Sequence, residues 1–344
     1  MGAMNDPSVF DRPGDPVYHE IALHHVVELP VLGVNITFES NSAAAIDAVE
    51  ETFGMWRGLS ASPELIEPGS SARIRLIVHD GDEGPTLHAP VVARLADPDR
   101  LLIHTPGSVA LLDLGRRDAV AYITPALLAD RAHIHYSLLH MLAFPLAIQY
   151  DRYPVHAAVI ARGPTALLLA GPAGTGKSTL ALQAQRQGMD VLSDDVTYIQ
   201  LKPVYRVWGD VPGRVYLMSD AEAHFPDLAG HAPTLLANGT EKLLVRYNYA
   251  WSGPAGRAPV AAQAGVCLLE RNGGHASLAP ATADEVRAFL RNELGIARTM
   301  FGEGVYQAVD TLAADGGWKL SLSQDPKDAV PFLETMLTAL EQRD

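Results

Sequence analysis

Apolar residues recur along the chain with one pattern before residue 150 and another after it. In the first part, short apolar runs predict strands in the ranges 17–40, 72–80, 100–105, 109–114 and 119–124. Between the first two ranges, apolar side chains repeat at helical spacing from about Ser42 to Phe53, and Gly54 is expected to end that helix. Residues 17–150 therefore predict a small α+β domain.

Two further segments complete this first part. Residues 58–71 are rich in Ser, Pro and Glu, a composition typical of a loop. A long helical segment is predicted from Pro125 to about Tyr150, and Pro145 is expected to kink or split it because proline has no amide hydrogen. No motif with recognisable active-site chemistry occurs before residue 150.

After residue 150, short apolar strands alternate with helices. Strands are predicted at 155–161, 165–171, 190–199, 204–209 and 264–270, and helices at 179–187, 283–298 and 327–341. Gly188 is expected to end the first of these helices. Continuous apolar runs are typical of strands buried on both faces, so residues 151–344 predict an α/β domain around a mixed or parallel sheet.

Composition and charge narrow the classes of protein. The 344 residues fit about two domains, and 48% hydrophobic with 19% charged residues is typical of an ordered globular chain. The net charge of −14 argues against nucleic acid or an anionic membrane as a partner, because both would be repelled. The only cysteine, Cys267, lies in an apolar run and predicts a core thiol.

The remaining general expectations concern the ends and the location of the chain. Residues 1–16 are expected to be a cloning remnant, Met1 to Met4, followed by a loose lead-in. No apolar stretch approaches the ~20 residues of a membrane-spanning helix, so we expect a soluble cytoplasmic protein. A homo-oligomer is compatible with these features.

The most specific motif follows the second strand of the later part. Residues 171–179 match the phosphate-binding pattern G-x-x-x-x-G-K-[ST], placed between a strand and a helix. Amide groups of such a loop point at phosphate oxygens, and the helix adds the positive end of its dipole. The residues predicted to bind a nucleotide are Gly171, Ala173, Gly174, Thr175, Gly176, Lys177, Ser178 and Thr179. Among them, Lys177 is expected to reach the β- and γ-phosphates, and the Ser178 hydroxyl to bind Mg²⁺.

A pair of carboxylates, Asp194 and Asp195, lies within the next apolar run. Parallel strands bring their carboxyl ends to one edge of a sheet, so we expect this strand and the one before the phosphate loop to lie side by side. One carboxylate can then bind Mg²⁺ while the other accepts the proton of an attacking hydroxyl. An acidic turn or a structural cap is the alternative interpretation.

These motifs, taken in order, resemble the catalytic domain of HPr kinase/phosphorylase and its relative, ATP-dependent phosphoenolpyruvate carboxykinase. The family carries a histidine on the strand ahead of the phosphate loop, and His156 occupies that place here. The resemblance covers residues 150–344 in motif order and is most specific up to about residue 210. It implies Asp194 as the base that activates an acceptor hydroxyl, Asp195 on the metal, and His156 near the γ-phosphate, although the two aspartates could exchange roles.

The chain also departs from that family. A downstream signature of true HPr kinases is replaced by residues 207–218, VWGDVPGRVYLM. Arg214 in this run is a candidate for the missing phosphate-binding cation, with a surface or capping arginine as the alternative, and Lys242 is a weaker candidate. The run looks more like the HPr-kinase-like proteins of peptide-modification clusters, which include kinases of a serine in lasso-peptide precursors. Nothing before residue 150 resembles the N-terminal domain of HPr kinase, so HPr is not the expected substrate.

The resemblance implies an ATP- and Mg²⁺-dependent kinase that transfers the γ-phosphate to a hydroxyl. A serine or threonine of a peptide or protein is the first expected acceptor, and the hydroxyl of a small metabolite is the alternative. Two other classes stay open: a regulatory nucleotide-binding module with little catalysis, and a carboxykinase-like lyase. The first would not need a carboxylate base, and the chain is short for the second.

Overall fold

The computed structural model describes residues 21–79, 92–97, 99–105, 108–210, 213–236, 240–247, 259–271, 273–295 and 297–343. Its strands are β1 (His25–Val31), β2 (Val34–Ser40), β3 (Ala72–Val78), β4 (Val92–Asp97), β5 (Arg100–Thr105), β6 (Ser108–Asp113), β7 (Asp118–Ile123), β8 (Arg152–His156), β9 (Ala158–Arg162), β10 (Thr165–Ala170), β11 (Asp190–Ser193), β12 (Val196–Gln200), β13 (Arg206–Gly209), β14 (Arg214–Leu217), β15 (Thr234–Leu235), β16 (Glu241–Arg246), β17 (Val260–Ala261), β18 (Gln263–Arg271), β19 (Ser277–Ala281) and β20 (Gly317–Leu322). Its α-helices are α1 (Ala43–Phe53), α2 (Pro125–Ala129), α3 (Arg131–His133), α4 (His140–Ile148), α5 (Lys177–Arg186), α6 (Ala283–Asn292), α7 (Ala297–Ala313) and α8 (Val330–Glu341). The predicted lead-in, and the start of the strand region predicted at 17–40, lie outside the described residues.

The first part of the chain forms one seven-stranded mixed sheet, in the order β1-β2-β3-β7-β6-β5-β4. The helix predicted up to Gly54 is confirmed as α1, whose buried face packs on the sheet through contacts such as Phe38 with Phe53, at 5.7 Å between ring centroids. The predicted loop at 58–71 is wrong in part, because short 3₁₀ helices occupy Gly54–Ala61 and Pro63–Leu65. Strand β4 was not predicted, and its mostly exposed residues explain why no apolar pattern marked it.

The helical segment after β7 breaks at a different place from the one predicted. Helix α2 ends before Asp130, whose side chain accepts a hydrogen bond from the amide of His133 and so caps α3. A π-helical stretch, Ile134–Leu139, then leads into α4. Pro145 lies inside α4, which continues to Ile148, because the segment around it is buried among apolar side chains and that packing outweighs one lost hydrogen bond.

The later part is built on a six-stranded mixed sheet, in the order β11-β9-β10-β18-β20-β19. The predicted helix after the phosphate loop is confirmed as α5, and Gly188, with φ of +85°, follows its end. Strands β19 and β20 and helix α7 were not predicted. Within the described ranges, no helix has both the length and the apolar character needed to cross a membrane.

The order of this sheet corrects one expectation. Strand β11, which ends just before Asp194, does not lie beside β10, because β9 runs between them and pairs antiparallel with both. Because β10 and β11 are both antiparallel to β9, they run in the same direction and end at the same edge of the sheet. Two strand spacings separate them, about 10 Å. The edge on which the carboxylates were expected is therefore right, and the adjacency of the strands is wrong.

Two of the predicted strands are each divided between two sheets. Strand β8 passes into β9 at Ala157, and β11 passes into β12 at Asp194 and Asp195. Strands β8 and β12 pair with each other in a four-stranded sheet with β13 and β17, whereas β9 and β11 pair in the six-stranded sheet. Both segments change sheet at the same level, so His156, Asp194 and Asp195 lie at the same place in the fold. We call this place the crossing.

The two parts of the chain share buried contacts. Tyr198 and Trp208, from the later part, belong to the hydrophobic core of the first part. Arg152 is fully buried, and its guanidinium donates to the Leu32 carbonyl at 3.2 Å and to the Glu67 carboxylate at 2.9 Å. A fully buried guanidinium without partners would destabilise the fold, so Arg152 has to keep these two contacts. They hold the first part of the chain against the second.

The burial of His140 should make the unfolding free energy depend on pH. Its ring lies against Phe53 and Phe144, with centroids 5.6 Å and 4.8 Å away, and burial lowers its pKa from 6.5 to about 3. The unfolded chain therefore binds a proton near pH 6.5 that the folded chain refuses until about pH 3. The stability linked to this histidine is fully present above pH 6.5 and is lost progressively as the pH falls toward 3.

We expect His140→Phe to flatten the acid side of the stability curve. Between pH 7 and pH 5 the wild type should lose up to about 2 kcal/mol of unfolding free energy through this histidine, and the variant should not. Urea unfolding at both pH values measures the difference, with His104→Gln on β5 as an exposed-histidine control. Equal losses in wild type and His140→Phe would contradict the assignment.

Candidate functional site

The loop between β10 and α5 has the backbone geometry that a phosphate-binding loop requires. Gly174 and Gly176 have φ of +79° and +108°, a region that side-chain-bearing residues rarely adopt. A Cβ atom on Gly171 would lie 3.0 Å from the Leu269 carbonyl of β18, so the loop also depends on close approach to the neighbouring strand. The glycines of the motif are thus required by backbone conformation and packing.

Lys177 begins α5 and is buried under the loop. Its Nζ donates to the Gly171 carbonyl at 2.7 Å and to the Pro172 carbonyl at 3.3 Å. Burial lowers the pKa of this ammonium, while the charges of Asp195 and Glu293 act in the opposite direction. The lysine is therefore close to acidic groups from two other elements and is held by carbonyls that an anion could replace as partners.

The first turn of α5 completes the loop. Its free amide groups and helix dipole favour an anion at this end, and Ser178 and Thr179 are half-buried there. The other end of α5 is closed by hydrogen bonds from Gly188 N to Gln185 O and from Met189 N to Ala184 O. The helix is thus tied down at its far end and presents its N-terminus to the loop.

Arg271, at the end of β18, is a site residue that the sequence analysis missed. Its Nε donates to the Thr175 carbonyl at 2.9 Å, and its Nη2 would lie 3.0 Å from a Cβ on Gly176. The arginine thus holds the backbone of the phosphate loop from outside. It directly follows the strand predicted at 264–270, but only the order of the sheet, with β18 beside β10, brings it to the loop.

Asp194 is half-buried and faces the three-stranded sheet of β14, β16 and β15. Its Oδ2 accepts a hydrogen bond from the Tyr216 amide of β14 at 2.6 Å. Burial, reinforced by the charges of Asp210 and Asp195, raises the pKa of Asp194 to about 7, although the Tyr216 amide and Lys242 favour the ionised form. A carboxylate with this pKa can accept a proton at neutral pH and afterwards release it.

Asp195 belongs to a different group of side chains. Its Oδ1 accepts a hydrogen bond from His156 Nε2 at 3.1 Å, and this bond is the main reason that the pKa of Asp195 lies below its usual value. The other ring nitrogen of His156 lies 3.5 Å from Glu293, which directly follows α6. Asp195 is exposed and ionised, as a ligand for a hard cation must be.

Glu293 is the second site residue that sequence reasoning missed. It lies almost 140 residues after His156 in a charged helical segment, and nothing in its local sequence separates it from a solvent-exposed glutamate. The structure brings it to the crossing because α6 packs beside the six-stranded sheet, with Val286 and Leu290 in a core shared with β9 and β10.

The two candidate cations lie in different surroundings. Arg214 is buried at the start of β14, and its Nη2 donates to the Glu51 carbonyl of α1 at 2.7 Å. Lys242, on the neighbouring strand β16, is an electrostatic neighbour of Lys177, Asp194 and Asp195. Of the two, Lys242 and not Arg214 joins the charged groups around the phosphate loop.

A cavity of about 700 Å³ opens beside the loop. It is lined by the loop from Pro172 to Thr175, by the end of β18 and by Phe289 of α6. Lys319 and Glu285, which form an ion pair, also line it. The cavity is large enough for a nucleoside and offers an aromatic side chain that could lie against a base.

The acidic groups do not form a closed metal centre. Among the described residues, no group of three or more His, Cys, Asp or Glu side chains could hold a metal ion. No protein-family model and no curated protein matches this chain.

The backbone of the loop predicts the effect of one substitution. Gly176→Ala should lower the unfolding free energy by about 1–2 kcal/mol, because alanine is strained in the left-handed region. Gly54, with φ of −58°, provides the control, since alanine there should leave stability unchanged or raise it by up to ~1 kcal/mol. Urea unfolding measures both variants, and an equal effect at the two positions would contradict the assigned loop conformation.

Proposed function

We propose that the protein is an ATP-dependent kinase that requires Mg²⁺ and transfers the γ-phosphate to a hydroxyl group. The observation that carries the proposal is the pairing of unlike carboxylates beside a phosphate loop. The pKa of Asp194 is raised to about 7, whereas that of Asp195 is lowered. Because their pKa values are shifted in opposite directions, the two aspartates are suited to different tasks: Asp194 to proton transfer and Asp195 to cation binding.

Binding of the phosphates would use the loop amides, the N-terminus of α5 and Lys177. The ammonium would exchange its bonds to the Gly171 and Pro172 carbonyls for bonds to phosphate oxygens. Lys242 would add a second positive charge from β16. The loop backbone and α5 are fixed before substrate arrives, so the ammonium of Lys177 is the group that has to change partners as charge on the transferring phosphate is stabilised.

The residues present fit a magnesium ion. Ser178, in the first turn of α5, and the ionised Asp195 would hold it. When bound, Mg²⁺ supplies charge neutralisation on the phosphates. Asp195 is held in place by His156, which is itself flanked by Glu293.

Proton transfer is assigned to Asp194. An acceptor hydroxyl placed against this carboxylate would give up its proton as its oxygen attacks phosphorus, while the bond to the leaving diphosphate breaks. Tyr216 donates to one carboxylate oxygen, Oδ2, and the acceptor hydroxyl is proposed to approach the other. General-base assistance of this kind contributes about 10²–10⁴-fold to a rate.

The nucleoside is proposed to occupy the cavity beside the loop, with its base near Phe289. A serine or threonine of a peptide or protein is the proposed acceptor, and this choice rests on the resemblance of residues 150–344 to HPr-kinase-like proteins. Incubation with γ-labelled ATP tests the proposal against three sets of acceptors: serine-containing peptides, small hydroxyl metabolites, and water alone. Label transferred to an acceptor supports a kinase, and slow release of label to water alone supports a regulatory nucleotide-binding module. If label reaches neither an acceptor nor water, the kinase proposal is contradicted.

Nucleotide binding should depend on Lys177. Mg-ATP at 100 times its Kd should stabilise the wild type by about 2.7 kcal/mol, and Lys177→Ala should lose most of that gain because the ammonium contacts the phosphates. Thermal unfolding with and without nucleotide measures the effect, with the exposed Lys202→Ala as control. Equal stabilisation of all three proteins would contradict the assignment of the loop.

The two aspartates should differ in their response to metal. Asp194→Asn should slow transfer by about 10²–10⁴-fold while leaving the Mg²⁺ midpoint unchanged, because an amide cannot accept the proton. Asp195→Asn should also slow transfer but shift the midpoint to higher Mg²⁺, because a neutral amide is a poorer ligand for a hard cation. Initial rates across an Mg²⁺ titration separate the two, and a loss smaller than tenfold in both variants would make the pair structural.

A further inference from the structure

Arg214 connects the first part of the chain to the carboxylate that is proposed to act as base. Its strand, β14, also carries Tyr216, whose amide donates to Asp194 at 2.6 Å. At the start of β14, the Arg214 guanidinium donates to the carbonyl of Glu51, in α1, at 2.7 Å. Two residues of extended backbone therefore separate a contact with α1 from a contact with Asp194.

The end of α1, which carries the Glu51 carbonyl, is itself held in place by other contacts. The Glu51 carbonyl lies in the last turn of α1, where carbonyls lack helical partners and the helix dipole favours a cation. The Glu51 carboxylate lies 3.2 Å from His135 Nε2, and Thr52 forms a hydrogen bond with the same ring. Arg214 is close enough to His135 and His140 to influence both rings electrostatically. The arginine thus enters a packed polar cluster formed by α1 and the helical segment that contains both histidines.

We propose that Arg214 is a positioning residue that anchors β14 to the end of α1 and thereby holds the Tyr216 amide against Asp194. This inference rests on the proposed function for its catalytic consequence, but the anchoring itself does not. It replaces the expectation that Arg214 binds phosphate. It also gives the first part of the chain a role in catalysis without contact with the nucleotide, because any shift of α1 would be transmitted to the base.

Another arginine provides a matched control. Arg206, on β13, donates to the carbonyls of Glu64 at 2.8 Å and Leu65 at 3.3 Å. It therefore makes the same type of contact, from the later part of the chain to backbone carbonyls of the first part. Among the described residues, the hydrogen bond to Asp194 comes from β14 and not from β13, so loss of Arg206 should loosen the contact between the two parts of the chain without displacing β14.

The test compares Arg214→Met, Arg214→Lys and Arg206→Met in the full chain. Hydrogen exchange of the segment 214–217 should be at least tenfold faster in Arg214→Met than in wild type and unchanged in Arg206→Met. In the transfer assay, Arg214→Met should lower kcat by about 10–100-fold with KM for ATP within twofold, because small misplacements of a catalytic group cost rates of this order. Arg214→Lys keeps a charged donor and should recover most of both losses.

Each outcome has a defined meaning. Unchanged exchange in Arg214→Met overturns the proposal whatever the activity, and so does a raised KM for ATP with kcat preserved, which would make Arg214 a phosphate ligand. Equal loss of kcat in Arg206→Met also overturns it, because general loosening would then explain the effect. If wild type transfers no phosphate, the proposed function fails while the exchange result still decides the anchoring. If Arg214→Met does not fold, Arg214→Gln, which keeps a donor without the charge, takes its place in both measurements.

Discussion

The site depends on one constraint, the simultaneous passage of two chain segments from one sheet to another. Strands β8 and β9 pair with β12 and β11, so the turns at Ala157 and at Asp194 must lie at the same level. At such a turn the strand pairing is interrupted, and the residues of both segments that lie there are brought to one level of the molecule. His156, Asp194 and Asp195 meet for this reason, and the phosphate loop reaches them because β10 ends at the same edge.

The same crossing explains why the aspartates differ although they are neighbours in sequence. Asp194 turns toward β14 and is enclosed there, so burial raises its pKa. Asp195 turns outward toward His156, and the hydrogen bond from the ring lowers its pKa. Successive residues on an extended chain point in opposite directions, and here one direction leads to a half-buried environment and the other to an exposed one.

Much of the fold and part of the site could be predicted from local pattern. The phosphate loop, α1 and the glycine after α5 carry signals within a few residues, because each depends on backbone conformation or on a face of one helix. Arg271, Glu293 and the surroundings of Arg214 could not be predicted, because their roles arise from the order of the sheet and from contacts between distant segments. The misplaced adjacency of β10 and β11 has the same origin: an intervening antiparallel strand leaves no mark on the sequence of either neighbour.

Charge at the crossing leads to a final consequence of the proposed function. Asp195 and Glu293 are two carboxylates close to Lys177, and a triphosphate would add several negative charges to the same small volume. Under the proposed function, Lys177 and Lys242 would not balance these charges alone, and a divalent cation would be needed for binding as well as for transfer. Under the proposed function, Asp195 would help to hold that cation, whereas Asp194, which accepts a hydrogen bond from the Tyr216 amide of β14, would be left to accept the proton. The two sides of the crossing would thus separate cation binding from proton transfer, although the two aspartates are neighbours in sequence.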